Sequence, residues 1–261
     1  MTRTTAKTTS TYSSKSEEVL TALNEKLSDA YSRKTAFQSW VAATLGTNAK
    51  YSATNRDILW AHDAHIVATY KQWQAQGVHV TQKGDIKLLA PLIDEGITRI
   101  NTDGTKTFVK KKFLTAAEKK AVEDGRMKLE RKFKGFRTFG VFDISKTDAD
   151  VSKFAEKALK KYENVNLDTL TKSAERYYGG ICDTNIQDFL YESIKNDDEF
   201  KAKADIRDDA ARIASAFILE MYGLSDAYTL SKIEADEKKN VEISKAVHSY
   251  AESTTLVMSM M

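Results

Sequence analysis

A single proline, Pro91, in 261 residues leaves almost nothing to interrupt helices or to hold an extended linker, so a helix-dominated chain is expected. Ser14 and Glu17 have capping-box spacing. Val19, Leu20, Leu23, Leu27, Ala30 and Tyr31 then recur at helical intervals, which predicts a helix near 15–32. A second helix is expected over 35–45 and a loop over 45–53. A long helix carrying Trp60, Tyr70 and Trp73 should then run from 55 to 76, where Gly77 ends it. From Ser145 onward the pattern is helical again, near 147–162, 167–178, 185–195, 205–223 and 227–257. Within 205–223, Ile206, Ala210, Ile213, Ala214, Phe217 and Met221 share one apolar face.

Between Gly77 and Ser145 the texture changes. Residues 78–80 and 86–93 read as strands around the turn Lys83-Gly84-Asp85. Residues 97–100 and 107–109 read as a hairpin across Asn101-Thr102-Asp103-Gly104, where the Asp-Gly pair is the turn signal. The charged stretch 115–132 is helix-like, and 136–144 is a last strand. The expected fold is α+β: helices, a small mostly antiparallel sheet, then an all-helical C-terminal region without internal repeats. The expected domains are a flexible tail over 1–14, a domain over 15–147 and a helical domain over 148–261.

Composition narrows the function classes. With 41% hydrophobic and 10% aromatic residues the chain can bury a core and is not compositionally disordered. No apolar run approaches the roughly 18 residues of a membrane span. The first residues, MTRTTAKTTSTYSSK, lack the apolar segment of a secretory signal, and the single Cys182 allows neither an internal disulfide nor a cysteine-based zinc cluster. A cytoplasmic location is expected, that of the host if the chain is phage-encoded. The net charge of +3 conceals an asymmetry: residues 1–50 carry +3, 51–142 carry +7 and 143–261 carry −7. A basic front joined to an acidic back predicts a polyanion for the first. The second is a solvated helical surface or a site for a protein partner.

The basic region also interleaves aromatic and cationic residues, the mixture that single-stranded nucleic acid requires. Cations follow the phosphates, and aromatic faces stack bases without reading sequence. The expected phosphate contacts are Lys71, Lys83, Lys87, Lys110, Lys111, Lys112, Lys134 and Arg137. Tyr51, Trp60 and Trp73 are the stacking candidates, and Asn55 is a hydrogen-bonding candidate. Of the aromatics in this region (Tyr51, Trp60, Tyr70, Trp73, Phe108, Phe113, Phe133, Phe136, Phe139 and Phe142), most are expected in the core and only two or three as exposed platforms.

Several fragments in this region occur in the order found in a known family. They are Tyr51-Ser52-x-x-Asn55, Thr69-Tyr70-Lys71-Gln72-Trp73 with Gly77, Val80-x-x-Lys83-Gly84, and Leu89-Ala90-Pro91. The series ends with Phe136-Arg137-x-Phe139-x-Val141-Phe142-Asp143-Ile144-Ser145-Lys146-Thr147. Over about 15–147 the chain resembles the N-terminal single-stranded-DNA-binding domain of ArdC-type antirestriction proteins of plasmids and phages. It departs from the family after Gly84, where Asp85-Ile86-Lys87 replaces the usual Glu-Lys-Gly. The resemblance implies single-stranded DNA as partner and protection or escort of that DNA as role.

The same family commonly continues into a zincin-like peptidase, whose His-Glu-x-x-His helix supplies two zinc ligands and a general base. Residues 208–217 resemble the family's glutamate-bearing helix, with Arg212 at the glutamate position. Four residues beyond His62, His65, His79 and His248 stand Ile66, Thr69, Lys83 and Glu252, so the zinc motif is absent from the sequence. His62 and His65 at i, i+3 lack identifiable further ligands. Cys182 reads as a buried structural thiol rather than a nucleophile served by His248. No P-loop, dinucleotide fingerprint or Gly-x-Ser-x-Gly elbow is present. The expectation is a non-enzymatic DNA-binding protein without cofactor or metal, or alternatively a phage interaction or virion-associated protein acting through its acidic helices. RNA remains open as a ligand beside DNA.

Overall fold

The computed structural model describes residues 14–44, 48, 50–154 and 165–258. The expected tail over 1–14, apart from Ser14, and residues 45–47 and 49 of the expected loop over 45–53 lie outside these residues. The helix expected over 147–162 does not begin as such: Thr147 bridges to Val80, a 3-10 turn forms at Val151–Phe154, and residues 155–162 lie outside the described residues. In chain order the elements are α1 (Ser14–Ser32), α2 (Lys34–Thr44), α3 (Ala53–Ala61), β1 (Val67–Ala68) and α4 (Tyr70–Ala75). There follow β2 (Ile86–Ile100), β3 (Lys106–Lys110), α5 (Ala116–Glu123) and β4 (Glu130–Asp143). The chain closes with α6 (Leu167–Tyr178), α7 (Ile186–Asn196), α8 (Arg207–Met221) and α9 (Asn240–Met258). This is an α+β fold with a small antiparallel sheet, in strand order β1-β4-β2-β3, and a helical C-terminal region.

Contacts divide the chain into two compact units: Met1–Glu17 with Leu89–Phe139, and Glu18–Leu88 with Gly140–Met261. This division differs from a boundary at residue 147, because the N-terminal helices and the C-terminal helices build one core. Trp40 of α2 is fully buried, with ring centroids 5.4 Å from Tyr31, 5.1 Å from Phe217 of α8 and 5.3 Å from His248 of α9. Under the rings, Asp57 of α3 accepts hydrogen bonds from Trp40 Nε1 at 2.8 Å and from the Ser244 hydroxyl, and its Oδ1 lies 2.9 Å from His248 Nε2. A buried carboxylate is tolerated because three polar groups converge on it.

Helix α8 explains why this core is large. The one apolar face expected from its sequence is in fact most of its circumference: Ala210, Ala211, Ile213, Ala214, Ala216, Phe217, Ile218, Leu219 and Met221 are all buried. Ala211, Ala216, Ile218 and Leu219 lie off that face, so α8 is enclosed by its neighbours rather than laid on them.

The long helix expected over 55–76 is broken. Asp63 takes a left-handed conformation (φ +50°), β1 pairs with β4 at Val67↔Asp143 and Ala68↔Phe142, and α4 starts anew. Thr69 and Gln72 form a reciprocal capping box at that restart. The helix expected over 115–132 is likewise shortened to α5. Thr115 and Glu118 box its start, and Gly125 (φ +71°) follows its end before β4 begins at Glu130.

In the β-rich unit the two strands expected at 86–93 and 97–100 join into one, β2. Its pairing with β3 runs from Gly96↔Lys110 to Ile100↔Lys106, so Pro91 sits where β3 does not demand its missing N–H. Gly96 is required by close approach, since a Cβ there would lie 2.1 Å from the Val109 carbonyl oxygen. The expected hairpin turn closes with Asn101 N–H donating to Thr105 O at 2.8 Å and with Gly104 at φ +80°.

Candidate nucleic-acid interface

The charge surplus anticipated for residues 51–142 concentrates further in the folded chain. Leu89–Phe139 holds 13 Lys and Arg against 7 Asp and Glu, net +6 in a chain of net +3. The same unit buries only three apolar side chains among the described residues, Leu89, Ile97 and Leu114. Its larger side chains therefore stand partly or wholly in solvent.

Two aromatic positions outside the first stacking candidates are exposed: Phe113 is 63% and Phe133 52% accessible. Phe133 packs edge-on against Phe136 with centroids 5.2 Å apart, which holds the outer ring in place. Lys112 Nζ lies 4.7 Å from the Phe113 centroid, and Lys132 Nζ lies 4.5 Å from that of Phe108. Cations and ring faces are thus paired at cation–π distance.

The lysine run after the hairpin is partly neutralised. Lys110 Nζ lies 2.8 Å from Asp94 Oδ2, while Lys111 Nζ and Arg131 Nε lie 4.0 and 3.6 Å from the Glu95 carboxylate. Arg99 forks onto Glu118 at 2.6 and 2.7 Å, and this guanidinium, with the Thr115 N–H, holds the Glu118 carboxyl down at about 2. By contrast the side chains of Lys106, Lys134 and Arg137 are exposed and form no ion pair among the described residues.

The remaining sequence candidates belong to the helical unit, and two of them are corrected. Trp73 is 1% exposed, its Nε1 donating to Phe142 O at 3.0 Å, so it cannot stack a base. Asn55 is 6% exposed inside α3, out of reach of a strand. Both lie on faces that a helix must turn inward, which their residue types do not announce. Trp60 is half-buried and its Nε1 donates to Ser39 Oγ at 3.2 Å. Tyr51 is half-buried beside Lys50, whose Nζ is 5.2 Å from the ring, and burial pushes its hydroxyl pKa up. Lys71 and Lys83 are exposed, and Lys87 is paired with Asp85 at 2.6 Å.

Sequence reasoning passed over Arg131, Asp94 and Glu95. The signal was present for the first, in the run Arg131-Lys132-Phe133-Lys134. The two carboxylates become relevant only through pairing of β2 with β3.

Positions weighed for chemistry have structural partners. His248 is buried against Asp57, while His62 and His65 are exposed. Although its side chain is exposed, partial desolvation by its surroundings, followed by the charge of Lys146, pushes His62 below its ordinary value. Cys182 is half-buried rather than fully buried; its Sγ lies 3.4 Å from Thr184 O, and burial with nearby Glu175 pushes the thiol up. Arg212 pairs with Asp208 at 3.0 Å and lies 4.4 Å over the Tyr191 ring. Hydrogen bonds from Lys195 and Tyr191 hold Asp208 at about 2. Among the described residues no three His, Cys, Asp or Glu side chains gather as a metal site, and no helix is long and apolar enough to cross a membrane.

No protein-family model matches the sequence, and no curated protein or solved structure matches it either. The resemblance to ArdC-type proteins therefore stands on the ordered sequence fragments alone.

Proposed function

We propose that the protein binds single-stranded nucleic acid, DNA in the first instance, through the surface of Leu89–Phe139 and without catalysis. The observation that carries this reading is the coincidence, on one small unit, of a +6 charge with two exposed phenylalanine rings, Phe113 with Lys112 over it and Phe133 between Lys132 and Lys134 in the sequence. Lys106, Lys112, Lys132, Lys134 and Arg137 neutralise phosphates, and Phe113 and Phe133 offer faces to unstacked bases. No bidentate arrangement aimed at base edges is needed, so binding is sequence-tolerant. In the setting that the ArdC resemblance implies, the role is to shield or escort single-stranded DNA of a phage or plasmid.

The test is fluorescence anisotropy of the full chain with a labelled strand of about 30 nucleotides, longer than a typical single-strand site. It is run across a salt series with matched duplex and with single-stranded RNA as competitors. Binding that favours the single strand and weakens steeply with salt supports the reading. Absence of binding at low salt refutes it and moves attention to the acidic helical region, where a protein partner is the remaining reading.

A further inference from the structure

An open hollow of about 440 Å³ lies in the β-rich unit. It is lined over Ile93 by the carboxylates of Asp94 and Glu95 and by the cations of Lys110, Lys111, Lys112 and Arg131. The two carboxylates are held differently. The Asp94 side chain is 16% exposed and within 2.8 Å of Lys110 Nζ, so it fixes that lysine in the wall. Glu95 is 43% exposed and sits between two cations without closing on either, 4.0 Å from Lys111 Nζ and 3.6 Å from Arg131 Nε.

Four cations thus face two carboxylates, and one of those carboxylates is loosely held. Exposed ion pairs at such distances exchange readily for other anions. A phosphodiester presents the same kind of anionic oxygen acceptors, and the guanidinium fork of Arg131 suits them better than a single offset carboxylate oxygen.

We propose that this hollow is a phosphate seat. It takes one phosphodiester of a single nucleic-acid strand between Lys111 and Arg131, and Glu95 occupies it when no strand is bound. The inference rests on the proposed function and adds to it a named subsite and an internal competitor. Glu95 lowers affinity for the strand, whereas Asp94 positions Lys110 and stays in place.

The experiment compares strand affinity of the full chain with that of Glu95→Gln, Arg131→Gln and Glu123→Gln, using the labelled single strand over a salt series. Glu95→Gln is expected to tighten binding about threefold by removing the competing anion. A gain of this kind cannot arise from misfolding. Arg131→Gln is expected to weaken binding about threefold to tenfold and to reduce the salt slope by about one. Glu123, exposed on α5 and without an ion pair among the described residues, changes net charge equally in the same unit. Its variant is expected to bind like the original chain. The seat is overturned if Glu95→Gln binds no tighter, or if Glu123→Gln tightens binding as much. Should the unaltered chain bind while Glu95→Gln fails to gain, the seat alone is lost. Should neither bind, the proposed function falls with it.

Discussion

The helical unit and the β-rich unit use similar residues to opposite ends. In the first, aromatic rings converge: Trp40 is enclosed by Tyr31, Phe37, Phe217 and His248, and even the Asp57 side chain is drawn into the interior by three partners. In the second, Phe113 and Phe133 point outward, and the only buried apolar side chains among the described residues are Leu89, Ile97 and Leu114. Burial of large side chains stabilises a fold in proportion to area removed from water. A unit that leaves its rings exposed gives up that stabilisation. The contrast separates a region shaped by packing from one shaped by its surface.

Breaking the packed side of this contrast should produce the largest effect. Trp40→Ala removes a fully buried indole and is expected to destabilise the chain by about 3–5 kcal/mol, measured by denaturant unfolding. A loss below about 1 kcal/mol would show that the aromatic cluster is dispensable. Asp57→Asn keeps the shape but places an NH2 group among donors. About 2 kcal/mol of destabilisation is expected, and an unchanged midpoint would mean that the buried network contributes nothing net.

On the other side, Gly96→Val should cost about 1–3 kcal/mol, because the new Cβ collides with the Val109 carbonyl. Its signature is faster amide exchange over 97–110. Equal loss of protection in α8 would erase the distinction between the units. Lys134→Glu with Arg137→Glu should leave the melting temperature nearly unchanged and lower strand affinity about tenfold, with a salt slope smaller by about two. Retained affinity would remove β4 from the interface.

The smallest expected effect concerns pH. Glu118 has its folded-state pKa lowered from 4.5 to about 2 by Arg99 and then by the Thr115 N–H. A depressed carboxylate contributes stability above its unfolded value that is lost as pH falls through the folded one. Stability of the chain should therefore decline between about pH 4.5 and pH 2, and Glu118→Gln should flatten that part of the profile. Parallel profiles for the two chains would show that the fork between Arg99 and Glu118 has no net effect.

Much of the fold was legible in the sequence, and the exceptions share a cause. The helices at 15–32, 167–178 and 185–195 and the Asp-Gly hairpin follow from periodicity and turn chemistry, which act over a few residues. The break at Asp63 is not legible in the sequence, because the apolar spacing over 55–76 continues through it. Yet Thr69 and Gln72 carried a readable capping signal, as did Thr115 and Glu118. At the candidate interface, Lys134, Arg137 and the lysine run were legible as charge. Their neighbours Asp94 and Glu95 were not, since only strand pairing brings residues 94 and 95 beside 110 and 111.

By itself the sequence determined the α+β class, the charge asymmetry and the course of several helices, those at 15–32, 167–178 and 185–195 among them, because propensity, periodicity and charge are local properties. The tertiary structure decided which aromatics face water, which lysines already hold a carboxylate, and that Asn55 and Trp73 belong to the interior. Those outcomes depend on which surfaces meet, and a residue's type states its capacity for burial or binding without stating what will cover it.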